Sequence, residues 1–259
     1  MVQGFKVRDS AVIKEIESLN SIESEGYVYV RERAAMESLI QRIGAAERVA
    51  LDTEADSLHN YFEKVCLIQI SLGSEHYLVD PLCGLDLSGL LEALAEKPLI
   101  LHGGDYDLRM MRASMGFRPR GEVYDTMIAA QLLGFEQIGL AALVERFFEI
   151  MIGKAGQKSD WSRRPLRENQ MRYAVNDTRF LERLAERVGD ELGERGRIDW
   201  HRESCRAMVQ STGRDKFTRP RGRLAHQGGR AADPPPTSLF ARALALARPA
   251  RPKRELAGI

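Results

Sequence analysis

Val49-Ala50-Leu51-Asp52-Thr53-Glu54 is an apolar run that closes on two carboxylates, and how it is read decides the fold. A strand alternates its faces with period two, so Asp52 and Glu54 point to the same side. Two carboxylates that close repel one another unless something positive stands between them. Oxygen-rich acidic clusters suit hard cations such as Mg²⁺ or Mn²⁺. More than a hundred residues further on, Tyr173 precedes Asp177 by four in a helical pattern. Residues i and i+4 of a helix share a face, so this segment too presents clustered oxygens on one surface.

Working outward from 49–52, read as a buried strand, the pattern is regular. Residues 27–30 read as a short strand and 33–43 as a helix with Ala34, Ala35, Leu39, Ile40 and Ile43 inward. Strands are expected at 65–71 and 76–80, joined through a Gly73-Ser74 turn, which makes this portion antiparallel. The period then changes to that of helices at 87–95, 105–115 (ended by Gly116) and 126–133, with short strands at 99–101 and 123–124. Leu140, Leu143, Val144, Phe147 and Phe148 mark an amphipathic helix. The longest helix is expected over 169–192, along a stripe of Ala174, Thr178, Leu181, Ala185, Val188 and Leu192. Strands interleaved with helices make this an α/β domain with a mixed β-sheet flanked by α-helices.

The 259 residues are 44% hydrophobic, enough for a packed core without staples. Cys66, Cys83 and Cys205 are odd in number and widely spaced, so neither a disulfide framework nor a zinc pattern is expected. No charged-then-apolar leader opens the sequence and no apolar run of membrane-spanning length occurs in it, which points to a cytoplasmic protein. The net charge of +1 hides an asymmetry: from Arg219 onward nine Lys or Arg face two acids, while residues 1–218 hold 29 basic and 35 acidic side chains. An acidic body does not bind polyanions by bulk electrostatics. Three regions are expected: an extension at 1–24, the α/β domain at 25–205, and a basic Pro/Arg/Ala-rich tail at 206–259. Six of the ten prolines fall after Phe217, so the tail is expected to be largely disordered.

A further acid is supplied by Leu101-His102-Gly103-Gly104-Asp105-Tyr106-Asp107-Leu108, just after an expected buried strand, where α/β sheets place functional groups. At this point the chain resembles the ribonuclease D family, of the DEDDy exonuclease class. The resemblance rests on Asp52-Thr53-Glu54, on His102-Gly103-Gly104 leading to Asp107-Leu108, and on Tyr173 with Asp177. Ser159-Asp160-Trp161 followed by Arg164-Pro165-Leu166 is similar to that family's stretch before its third motif, and the match covers roughly 27–200.

The resemblance implies an RNase H-like fold and a two-metal 3′–5′ exoribonuclease acting on single-stranded RNA 3′ ends, tRNA precursors among them. It assigns the metal site to Asp52, Glu54, Asp107 and Asp177, with Asp52 bridging both Mg²⁺ or Mn²⁺ ions and Tyr173 orienting the attacking water. An unperturbed phenol has a pKa near 10 and is a poor base at neutral pH. DNA as substrate, and a noncatalytic RNA-binding protein with the same fold, stand as alternatives. Each residue also has a plainer reading. Asp105 competes with Asp107, being placed where a helix N-cap would sit. Tyr61 and Phe62 either stack a terminal base or pack the core. His102 either touches substrate or is structural; Asp125 is either a helix cap or a supporting acid, the cap being favoured. Lys154, Gln157, Lys158, Arg163 and Arg164 form a basic loop where phosphates would enter, with Lys158 and Arg164 the candidate contacts. Trp161 is expected to anchor that loop. The family's helical HRDC domains have no counterpart pattern after Cys205, so the tail reads either as a basic tether for RNA or as the product of a truncation or frameshift.

Overall fold

A computed structural model describes residues 26–56, 64–153 and 159–213. In order these form β1 (Val28–Val30), α1 (Arg33–Ala45), β2 (Val49–Ala55), β3 (Val65–Leu72), β4 (Glu75–Val79), a 3₁₀ turn (Pro81–Cys83), α2 (Ser88–Ala95), β5 (Leu99–Leu101) and α3 (Asp105–Met115). Then follow β6 (Val123–Asp125), α4 (Thr126–Leu133), α5 (Leu140–Phe148), α6 (Glu168–Arg179), α7 (Leu181–Glu194) and α8 (Ile198–Thr212). Among the described residues no helix is long and apolar enough to cross a membrane.

The strands make one mixed sheet in the order β1-β4-β3-β2-β5-β6. β3 runs antiparallel to both β2 and β4, while β1/β4, β2/β5 and β5/β6 are parallel pairs. The tight turn between β3 and β4 carries Gly73 at φ +60, a left-handed conformation that glycine adopts without strain. Alternation sorts the side chains. Val49 and Leu51 of β2, with Ile68 and Ile70 of β3, join the core under α1, α2 and α3. Ala50, on the other face, packs with Ile100, Leu181 and Ala185. Burying fully enclosed Leu, Ile and Val side chains contributes about 1.5–3 kcal/mol each, so this two-sided core holds the sheet rigid beneath the site.

The helix expected over 169–192 is two helices. They meet at Phe180, whose backbone (φ −98, ψ −10) departs from the regular helix. The periodic stripe runs through this junction, but the two halves have different partners: α6 lies on β2, β3 and β4, whereas α7 packs on α4, α5 and β5. Phe180, 2% exposed and stacked on Phe148, directs the turn between those layers. α8 runs through Cys205 to Thr212, so residue 205 falls inside a helix.

Candidate active site

β2 pairs with β5 only at Val49 and Ala50, so Asp52 and Glu54 project beyond the end of β5, at the carboxyl end of parallel strands. Ligand sites of open α/β sheets lie in that crevice. α6 crosses above it with Tyr173 and Asp177 one turn apart. Carboxylate oxygens of Asp52, Glu54 and Asp177 lie within 4.8 Å of one another. Asp107, 7% exposed in the first turn of α3, enters from the side. Its Oδ1 accepts from the Thr53 hydroxyl at 2.6 Å and from the Thr53 N–H at 3.1 Å. Thr53 points away from Asp52 and Glu54 along the strand, and that alternation lets one strand present two acids on one face and hold Asp107 of α3 from the other.

These residues wall a cleft of about 630 Å³ with His102, Tyr106 and Trp161. Among the described residues that line it, none is Lys or Arg. The consequence is electrostatic. Burial, followed by the charges of Asp107, Asp177 and Glu54, pushes Asp52 well above the usual carboxylate range. Burial and the charges of Asp177 and Asp107 push Glu54 up to about 9, and burial likewise raises Asp107 and Asp177. The Tyr173 phenol, hydrogen-bonded to Asp177, is raised by burial and by the neighbouring acids, so it stays protonated. A donor set of clustered carboxylates, none neutralised within the cleft, fits hard divalent cations.

The turn before α3 needs both its glycines. Gly103 sits at φ +72, and a Cβ on Gly104 would lie 2.7 Å from the Leu101 Cβ. Asp125 accepts from both glycine N–H groups at 3.2 and 2.8 Å and also caps α4 through Met127 and Ile128. The cap expected of Asp125 is present and reaches the neighbouring turn as well. Asp105 is not an N-cap: Gly104 takes that place, and Asp105 pairs with Arg109 one turn on.

The expected substrate contacts divide. Tyr61, Phe62, Lys154, Gln157 and Lys158 lie outside the described residues. His102 lines the cleft, with Nδ1 2.8 Å from the Thr126 hydroxyl and burial lowering its pKa to about 4. Arg164, expected to meet phosphate, has its guanidinium committed elsewhere. It donates to Asp80 at 2.6 and 2.7 Å and to the carbonyls of Cys66 and Trp161 at 2.7 Å each. Those bonds close the 159–166 loop onto the sheet and leave the arginine outside the cleft lining. Trp161 does anchor that loop, 1% exposed and packed on Tyr173.

A family model described as 3′–5′ exonuclease matches residues 27–193. The chain belongs to that exonuclease family. Ribonuclease D of Zymomonas mobilis subsp. mobilis is 36% identical to it over 176 residues, 66% of this chain and 45% of the relative. The crystal structure of Escherichia coli RNase D, described as an exoribonuclease involved in structured RNA processing, matches with a TM-score of 0.68 and 29% identity, covering 73% of this chain and 51% of that one. Brucella melitensis NrnC bound to pGG matches with a TM-score of 0.60 and 25% identity, covering 68% and 91%. The mixed sheet is thus the RNase H-like arrangement of these exonucleases. The chain spans about half the length of the ribonuclease D relatives.

Within this exonuclease-family domain, several supporting residues escape a reading of the sequence. Thr53 holds Asp107, and the Thr178 hydroxyl, beside Asp177, lies 2.8 Å from the Ser71 hydroxyl. Ser71 also meets buried His76, so α6 is pinned over β3 next to the acid cluster. Gln69, fully buried, stands directly opposite Asp52 in the β2/β3 register. The available signal was polarity at every second place of an apolar strand, Gln69 then Ser71, a pattern that expects partners on one face.

Proposed function

We propose that this domain is a divalent-metal-dependent 3′–5′ exonuclease that removes nucleotides from RNA 3′ ends. The observation that carries the reading is the meeting of Asp52, Glu54 and Asp177 within 4.8 Å in a cleft whose described lining holds no Lys or Arg. Asp52, Glu54, Asp107 and Asp177 would hold two cations, Mg²⁺ or Mn²⁺. When bound, these would supply positive charge for the carboxylates and for the charge that develops on the scissile phosphate. Tyr173, kept protonated with its hydroxyl on Asp177, serves to orient the attacking water and not as a base. Asp107, locked by Thr53, fixes the side of the cleft nearest α3. His102, in the wall, is a candidate substrate contact.

RNA as the substrate class is supported by relatives named ribonuclease D and by the RNA processing attributed to the Escherichia coli enzyme. Precursors of tRNA are the finer reading, and a cytoplasmic location is supported by three unpaired cysteines. The test uses 3′-labelled single-stranded RNA and DNA of the same sequence, with Mg²⁺, Mn²⁺ or chelator, beside Asp52→Asn and Asp177→Asn. RNA shortening from the 3′ end that stops with chelator and with either substitution is the expected result. Activity surviving chelator and both substitutions sinks the mechanism, and preferential loss of DNA would reassign the substrate.

A further inference from the structure

Gln69 occupies the middle of β3 at 0% exposure, and neither its amide nitrogen nor its amide oxygen has a hydrogen-bond partner. Its cross-strand partner on one side is Asp52 and on the other Leu78. Residues directly opposite in an antiparallel pair share a face, with Cβ atoms about 4.5–5.5 Å apart, within reach of a glutamine side chain. Leu78 offers the amide nothing polar. Ser71, next along the same face, is already engaged with His76 and Thr178. Buried amides without partners are rare because each forfeits its bonds to water. The group across the strand is a carboxylate of the acid cluster, and metal-ligating carboxylates are held in turn by outer donors that set their orientation.

We propose that Gln69 is a positioning residue for Asp52, its amide N–H donating to the Asp52 carboxylate when a divalent cation occupies the cluster. The amide leaves the other Asp52 lone pairs to the cation and fixes the plane in which they point. A glutamine suits this place: it donates without adding charge to a site already carrying four acids. A lysine or arginine there would compete with the cation. The inference rests on the metal-site reading above.

The test compares the full chain with Gln69→Met, of similar length but without the donor, and with Leu78→Met, a packing change on the same face. Mn²⁺ affinity is measured by calorimetry, metal-free stability by thermal unfolding, and turnover on labelled RNA. Gln69→Met is expected to weaken Mn²⁺ binding by roughly tenfold or more, with metal-free stability equal to or above the parent, since an unpaired buried amide is gone. Leu78→Met keeps the parental affinity. Parental affinity and turnover in Gln69→Met overturn the proposal, whereas a parent that binds no Mn²⁺ overturns the metal-site reading beneath it. Should Gln69→Met fail to fold, the Gln69 side-chain amide resonances of the parent are followed during Mg²⁺ titration. A shift supports the contact, and unmoved resonances overturn it.

Discussion

Asp80 directly follows β4 and Asp52 lies within β2 of the same sheet, and their surroundings are opposites. Asp80, after β4, receives both nitrogens of an Arg164 fork, the Tyr29 hydroxyl and the Leu82 N–H. Burial alone would raise it, but these bonds outweigh burial and hold it below its usual value. Asp52 has burial and three further acids, which all act upward. One acid is completed by the chain itself, and the other, on the function proposed above, is completed by a cation brought from solution. Full pairing marks structure, and a concentration of like charge marks chemistry.

Changes at each site should therefore fail differently. Asp52→Asn should cut exonuclease turnover by roughly a thousandfold while thermal stability without metal holds or rises, because one repelling charge is removed. Unfolding of that variant would erase the distinction. Arg164→Met should do the reverse, leaving the Asp80 carboxylate buried without its counter-charge at a cost of about 3 kcal/mol or more in chemical denaturation. Adding Asp80→Asn should recover much of the loss, and a single variant as stable as the parent would show the fork to be dispensable.

Two smaller effects sharpen the contrast. Tyr173→Phe should lower kcat by roughly 10- to 100-fold with Mn²⁺ affinity kept; weaker Mn²⁺ binding would instead make the hydroxyl part of the site's architecture. The pH dependence of metal-free stability should carry both signs. Glu54 is held up to about 9 when folded, against about 4.5 for an unperturbed glutamate, so between these values the folded state binds more protons than the unfolded one. Stability contributed there is full below the lower value and falls as pH rises, by at most about 1.4 kcal/mol per pH unit for each such proton. Asp80 acts oppositely, its contribution being lost on acidification below the usual carboxylate range. Saturating Mg²⁺ should flatten the alkaline slope and leave the acid limb in place; a slope indifferent to Mg²⁺ would detach the cation from this cluster.

Asp52 with Glu54, and Tyr173 with Asp177, were legible because strand and helix periods place each pair on one face, whereas Asp107 was singled out from Asp105 only by the family resemblance. The helix over Asp105–Met115 was legible through Gly116, which ends it at φ +71. The split at Phe180 was not, because the apolar stripe continues through it and only the change of packing partner, a tertiary fact, breaks the helix. Thr53, Gln69 and Thr178 stayed hidden for a related reason: each matters through what stands opposite, and register between distant segments leaves no local trace. Arg164 misled because a guanidinium in a basic loop looks free until the buried carboxylate it serves is known.

Asp125 reaches the acid cluster through its charge on Asp107, and its two oxygens accept from Gly103, Gly104, Met127 and Ile128 while its carbonyl meets His201 of α8. Anyone grafting the four acids onto another scaffold would have to carry this aspartate with them. Without it, the turn that aims Asp107 and the start of the next helix would each settle independently, and the transplant would have the right residues at the wrong separations.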